Sequence, residues 1–531
     1  MFLFWAILLN FENASIILRF IVFIKETTMS VTLKILSILL CAMLIACGGD
    51  SSDDAVPADD SDIGTVDDAS DTDDTDTEPE EADEDDSTTD SDEDIPEESD
   101  DVPDEDAETE EIQTGGIYIF SSFDETGNAE SREILGNGGF FGFSIMTLSE
   151  KYWAVSAIHE SIPAFDWDKA TGKLYIFEKE KKVGKLEDAA FVLNHPEKSL
   201  NVGFGYTAAE LCDINGDGFD DLAVSSHLAA FGDLYAAGEI VVFYGSSDGW
   251  NEENSSISRL SSAYIQRSDS MSQSLVCLDY DGDGFSDVFA GGQNAGPELE
   301  GGGSQGMVAM FKGSAAGLSE HEDSVLLPEV DEKAQYFGSG MLALDLNGDK
   351  RQDLIVAGWG LKESRNAANS GGIYVYLGGE EWFEGASEKF FGTSGSQFGS
   401  MVKVVEIAGK KYIGVLATKE EKYGAIHIYE TENFNEIAVI AIPEIPGTGD
   451  GNLSDFDTVK ISENSDLLIA GGKTFSTGGM IFCSKTGNGE FGNVEKCAFQ
   501  PDSPEGGFGY SVKNIGNGEI VVGKPEYVHR F

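Results

Sequence analysis

The sequence predicts an all-β chain whose folded part is a seven-bladed β-propeller, and three observations predict it. A glycine followed by alternating apolar and aromatic residues recurs seven times, which is the pattern of a half-buried strand. Seven two-strand units alternate with these strands, giving about four strands per blade. One Asp-rich loop also recurs, its first aspartate standing at 213, 279 and 345, so that both intervals are 66 residues. A fixed interval of that length marks a repeat architecture.

Composition sets the frame. Over 531 residues the chain is 41% hydrophobic, holds 63 glycines and carries a net charge of −64, which fits a glycine-rich β protein with a large acidic appendage. Nucleic acid is excluded as a partner, because phosphate binding needs a basic surface.

Residues 1–28 are apolar and precede a second start at Met29, so they read as an over-extended gene start. From Met29 to Lys34 runs a short basic segment, followed by the apolar run Ile35 to Ile45 and then Ala46-Cys47-Gly48. This is the layout of an export signal over 29–46. Leu44-Ile45-Ala46-Cys47 resembles the box of bacterial lipoprotein signals. The resemblance implies cleavage before Cys47 and lipid on its thiol and new amino terminus. Because Gly48 is not aspartate, it also implies an outer-membrane or cell-surface destination. A plain transmembrane anchor is the competing reading. Asp50 to Glu111 is rich in Asp and Glu and has no Lys or Arg. Such a segment cannot bury enough apolar surface to order itself, so 47–112 is expected to be a lipid-anchored, disordered acidic tether.

The propeller is expected over 113–531. Its glycine-led strands start at Gly116, Gly172, Gly238, Gly306, Gly372, Gly424 and Gly479. Five of the two-strand units open with Phe-Gly, at 141, 204, 337, 398 and 508; those near Ser272 and Asp455 do not. In the second, third and fourth units the Asp-rich loop is the hairpin turn. The chain starts with a glycine-led strand and ends with a hairpin, so the last blade is completed from both ends. Ser511 to Pro525 must pair with Gly116 to Phe120 and Ser131 to Leu135, which removes the open sheet edges. Tyr527 to Phe531 offers a competing third strand for that position.

Each Asp-rich loop supplies side-chain oxygens at positions 1, 3, 5 and 9 and a backbone carbonyl at position 7. The three sets are Asp213, Asn215, Asp217, Phe219 and Asp221; Asp279, Asp281, Asp283, Phe285 and Asp287; and Asp345, Asn347, Asp349, Arg351 and Asp353. Calcium takes about six to eight such oxygens in flexible geometry, so about three Ca2+ ions are expected. An acidic hairpin turn is the plain alternative. The third loop has Lys350 where the turn favours glycine, at a cost of roughly 1 to 2 kcal/mol.

The Phe-Gly openings, the three loops, and Gly-Lys-Pro at 523–525 or Ala-Gly-Gly at 290–292 and 470–472 together resemble the FG-GAP repeats of the integrin alpha-chain propeller and its bacterial relatives. The resemblance covers about 115 to 531. It implies calcium in the three loop-bearing blades; blades one, five, six and seven lack the loop, so calcium is not carried over to them. It does not extend to an integrin transmembrane segment, leg domain or partner subunit, so ligand specificity is not carried over.

The loops on the face opposite the Asp-rich hairpins are longer and hold exposed-type anchors: His159, Trp167, His227, Tyr235, Trp359 and Arg365. The competing reading packs these aromatics between blades. Cys483 and Cys497 flank a turn and can pair across a hairpin or remain free, while Cys212 and Cys277 read as buried thiols, with a bond between their two blades as the less favoured alternative. The function expected is a calcium-stabilised, surface-exposed lipoprotein that binds a protein or polysaccharide through one propeller face. No catalytic motif is visible. An exported enzyme acting on polysaccharide at the central face, or a scaffold subunit of an envelope complex, is the alternative.

Overall fold

The computed structural model describes residues 115–525 except 138–139, 159–171, 198–202, 233, 235, 262–263, 265–270, 298, 300–303, 331, 366, 380–384, 443, 445–450, 475–478, 488–489 and 500–506. The expected export signal at 29–46, Cys47, the acidic segment and Tyr527 to Phe531 therefore lie outside the described residues.

Seven four-stranded antiparallel sheets form the ring. Blade 1 is β3 (Phe141–Thr147), β4 (Tyr152–Ala157), β5 (Lys173–Glu178) and β6 (Phe191–Asn194). Blade 2 is β7 (Phe204–Ala208), β8 (Leu222–Ser226), β9 (Glu239–Phe243) and β10 (Ser255–Ser258). Blade 3 holds β11 (Ser274–Leu278), β12 (Asp287–Gly292), β13 (Met307–Phe311) and β14 (Ser324–Leu326); blade 4 holds β15 (Gly340–Leu344), β16 (Asp353–Gly358), β17 (Gly372–Tyr376) and β18 (Glu388–Phe391). Blade 5 contains β19 (Phe398–Ile407), β20 (Lys410–Ala417), β21 (Ala425–Glu430) and β22 (Glu436–Ala441), and blade 6 contains β23 (Gly451–Ser462), β24 (Ser465–Thr474), β25 (Met480–Gly487) and β26 (Glu490–Lys496).

Blade 7 is built from both ends of the ring. Its strand order is β2 (Glu130–Leu135), β1 (Gly116–Ser121), β28 (Glu519–Lys524) and β27 (Val512–Gly516). The register pairs Gly116 with Lys524 and Phe120 with Ile520. Since β1 sits directly against β28, the place open to a further C-terminal strand is already taken. The first strand of every blade contacts the first strand of the next, from β3 round to β27 and back to β3. These strands line the centre.

The core is divided among the seven gaps between blades. One cluster joins Trp153, Val155 and Phe177 of blade 1 to Ile117, Ile119 and Val521 of blade 7, for example, and another joins Phe456 of blade 6 to Val405 and Ile426 of blade 5. Apolar residues on both faces of each central strand explain this, since a blade is covered on two sides.

The recurrent glycines are the clasps of these gaps. Gly142, Gly338 and Gly509 of the Phe-Gly pairs all have positive φ, between 84° and 89°. A Cβ on Gly523, Gly291 or Gly471 of the preceding blade would lie within about 2.1 Å of the carbonyl oxygen of those same three glycines. Two backbones thus meet where no side chain fits, which is why both motifs demand glycine. Blade 3 lacks the dipeptide: Ser272 takes the left-handed position (φ 70°) and its hydroxyl donates to Glu239 O at 2.9 Å.

Candidate metal loops and ligand face

The three Asp-rich loops connect β7 to β8, β11 to β12 and β15 to β16, and they share one hydrogen-bond scheme. The position 1 carboxylate closes each loop on itself. Asp213 Oδ1 accepts from Gly216 N (2.7 Å) and Oδ2 from Gly218 N (2.9 Å); Asp279 accepts from Gly282 N (2.8 Å) and Gly284 N (3.1 Å); Asp345 accepts from Gly348 N (2.7 Å) and Lys350 N (2.9 Å). The position 5 carboxylate accepts from the position 7 backbone N–H, as Asp217 from Phe219, Asp283 from Phe285 and Asp349 from Arg351. Lys350 holds the left-handed turn at φ 76° where Gly218 and Gly284 stand in the other loops.

Position 9 has a structural task besides any metal contact. Asp221, Asp287 and Asp353 are buried. In each, Oδ2 accepts from a loop N–H (Ile214, Tyr280, Leu346) and Oδ1 from the N–H of Gly245, Gly313 or Gly378 just beyond the third strand. These glycines escaped sequence reasoning, although the Phe/Tyr-x-Gly that ends β9, β13 and β17 was their signal. A Cβ on any of them would strike the backbone carbonyl of loop position 8, at 2.2 to 2.5 Å.

Electrostatics favour a cation here. Burial, with the charges of Asp281 and Asp283 adding to it, pushes the Asp287 carboxyl up to about 7 against the pull of its backbone donors. Burial likewise raises Asp221 and Asp353. Carboxylate oxygens of Asp279, Asp281 and Asp283 lie within 4.8 Å of one another, so this triad could hold a metal ion. In the other two loops an amide stands at position 3, and Asn215 and Asn347 donate to Asp217 and Asp349 at 3.0 and 3.1 Å. Asp281 instead meets the ammonium of Lys312 at 2.7 Å. All the converging side-chain donors are oxygens, which suits a hard cation.

The loops of blades 2 and 3 are fastened together. Cys212 and Cys277 form a disulfide between the blades, with Cα atoms 6.3 Å apart. This corrects the expectation of two buried thiols; their unequal distances from the loops hid the fact that one lies across the gap from the other. Beside it, Ser286 N donates to Asp213 O at 2.9 Å, and the Phe285 ring covers Gly216. The bond closes a 65-residue separation. Replacing both cysteines by serine is expected to lower unfolding free energy by about 3 to 4 kcal/mol in urea titrations. An unchanged midpoint would show that the bond adds nothing to the folded state. Cys483, within β25, is joined to Cys497, just beyond β26, with Cα atoms 5.0 Å apart.

On the opposite face the anchors divide. Arg365 is exposed, and Phe231, 44% exposed, lies under the Arg259 guanidinium. Trp359 is stacked on Tyr336 with ring centroids 3.5 Å apart, and its Nε1 donates to Gln293 Oε1 across the gap to blade 3. His227 is buried behind Tyr206, at 4.0 Å between rings. Trp359 thus follows the interblade reading, whereas His227 is buried within its own blade; neither is displayed as an open anchor. His159, Trp167 and Tyr235 lie outside the described residues.

Comparison with known proteins agrees with this architecture. Residues 204–243, from β7 to the end of β9, match the FG-GAP repeat. Over 191 residues the chain is 32% identical to integrin alpha-PS5 of Drosophila melanogaster, a match covering 35% of this chain and 17% of that protein. It is 25% identical over 191 residues to integrin alpha-E of Mus musculus, covering 34% and 16%. The match thus spans about a sixth of the length of these curated relatives. The ring is a seven-bladed propeller that contains an FG-GAP match in blade 2 and is similar over 191 residues to integrin alpha chains.

Proposed function

We propose that the protein is an exported, lipid-anchored binding or adhesion module, stiffened by calcium at the Asp-rich loops and meeting its partner on the face opposite them. The observation that carries this reading is the division of labour between the faces. Every Asp-rich loop is a β-hairpin turn at one end of its blade, whereas Phe231, Arg365 and the starts of the first strands stand at the other end. Likeness to integrin alpha chains supports binding over catalysis. In this reading the calcium sites are structural: they tie the first strand of a blade to its second and, through position 9, to its third. The lipid would sit on Cys47, with 47–112 between it and the ring along the chain.

Cells displaying the full chain should adhere to a surface coated with the partner protein or polysaccharide. Phe231→Asp with Arg365→Glu should reduce adhesion by about tenfold, the scale of losing one interface anchor. Lys411→Glu, exposed on the hairpin face, should leave it unchanged. Equal loss from both variants, or from neither, would put the partner elsewhere. Cys47→Ser should move the chain from the membrane fraction into the soluble one. A variant still sedimenting with membranes would refute the anchor.

A further inference from the structure

The residue that follows each Phe-Gly, or stands in its place, lines a single cavity of about 730 Å³ at the centre of the ring. In blades 7, 1 and 2 that residue is aromatic: Tyr510, Phe143 and Tyr206. In blades 3 to 6 it is Gln273, Ser339, Ser400 or Ser454. All seven lie at the starts of the first strands, so the cavity opens on the face away from the Asp-rich loops.

The lining is therefore sectored. Phe143 lies 4.9 Å from Tyr510 and 5.3 Å from Tyr206 between ring centroids, so the three rings make one continuous arc, backed by His227. Facing it are the Gln273 amide and the hydroxyls of Ser339, Ser400 and Ser454, which donate to Ala357 O, Gln397 O and Gly509 O and keep oxygen lone pairs as acceptors. The Oε1 of Gln273 is buried with no hydrogen-bond partner among the described residues, so it becomes an acceptor for a ligand once the side chain turns toward the cavity it lines. Charges at the wall are already neutralised. Asp455 accepts from Lys403 Nζ at 2.6 Å and from Val512 N at 2.8 Å, while Lys422 pairs with Glu444 at 2.8 Å.

From this we infer that the cavity is a binding site for an uncharged carbohydrate. The inference rests on the binding reading above and specifies its ligand class. A sugar ring presents C–H faces that stack on aromatic rings, and a rim of hydroxyls that pair with amides and hydroxyls. An ionic ligand would find no free counter-charge at the wall. The volume falls in the range of small-molecule sites, enough for a short oligosaccharide and too small for a folded partner.

The test is calorimetric titration of the full chain with tetrasaccharides of glucose, N-acetylglucosamine, mannose and galactose. At least one should bind. Tyr206→Ala and Gln273→Ala should each weaken it by about tenfold or more. Ser339→Trp, filling the cavity from the polar side, should abolish binding while the melting temperature stays near that of the parent. Binding by none of the sugars overturns the inference, as does binding that all three variants retain. So does displacement of the bound sugar by a short arginine peptide that binds more tightly, which would make the arc a cation cage. The two readings fail separately. If Tyr206→Ala adheres normally and free sugar does not compete, the carbohydrate site falls and adhesion through the loops stands. If sugar binds and adhesion is absent, the adhesion reading falls alone.

Discussion

Deleting residues 115–135 is expected to abolish cooperative folding of the whole ring, although it removes only two of its strands. Those strands are β1 and β2, and β1 pairs with β28 from Gly116 to Phe120. Ile117, Ile119, Phe120 and Ile134 leave with them, each at most 2% exposed. At about 1.5 to 3 kcal/mol for each large apolar side chain, the lost burial is roughly 6 to 12 kcal/mol. That rivals the entire net stability of a typical domain, about 5 to 15 kcal/mol. The damage falls on two gaps at once, because Ile117 and Ile119 pack against blade 1 while Phe120 packs against blade 6. The ion pair between Arg132 and Glu519 (2.8 Å), and the bond from Arg132 Nε to Val183 O (2.7 Å), are lost too. An open β28 edge would also invite aggregation. Circular dichroism melting of the truncated chain is the measurement. A transition as sharp and as high as the parent's would refute closure by the two ends. Ile119→Asp, which keeps the strand but buries a charge, should destabilise in the same direction.

What could be read from the sequence was whatever depends on local chemistry repeated at a fixed interval. Gly142 and Gly523 are required by a backbone contact that recurs around the ring, so the same residues appear at matching places in several blades. The Asp-rich loops are legible for the same reason: positions 1 and 5 bond to backbone groups of their own loop. Position 9 is different, because its second partner, Gly245, Gly313 or Gly378, lies a strand away. The Cys212–Cys277 bond was ranked below buried thiols because it joins neighbouring blades, and nothing local shows how their edges are aligned. Trp359 and His227 were read as displayed anchors because they are anchor-type residues in long loops, yet Tyr336, from the segment before β15, and Tyr206 of β7 stack on them. The sectored cavity needed the ring itself. Phe143 and Tyr510 are 367 positions apart in number, and only closure makes them neighbours.

Removing calcium is expected to lower the melting temperature of the full chain by on the order of 10 °C. An ion in about hundredfold excess over its dissociation constant stabilises the folded state by about 2.7 kcal/mol per site, and three sites together give a shift of that order. The physical cause is the crowding of carboxylates: Asp279, Asp281 and Asp283 stand within reach of one ion, and Asp287 is buried beside them. Without a cation those charges repel within the hairpin that joins the first two strands of the blade. Asp217→Ala, Asp283→Ala and Asp349→Ala should each remove one bound ion and about a third of the shift. The blade 4 loop should bind most weakly, because Lys350 holds a left-handed turn at φ 76° and Arg351 adds a second positive charge at its rim. Unchanged ion counts in all three variants would reduce the loops to acidic turns. The disulfide adds a finer test. Since Cys212–Cys277 and the Ser286-to-Asp213 bond fasten the loops of blades 2 and 3 together, the double serine variant should lose calcium affinity at those two loops and keep it at blade 4. Equal weakening at all three would mean that the bond acts on the stability of the whole ring and not on the loops it joins.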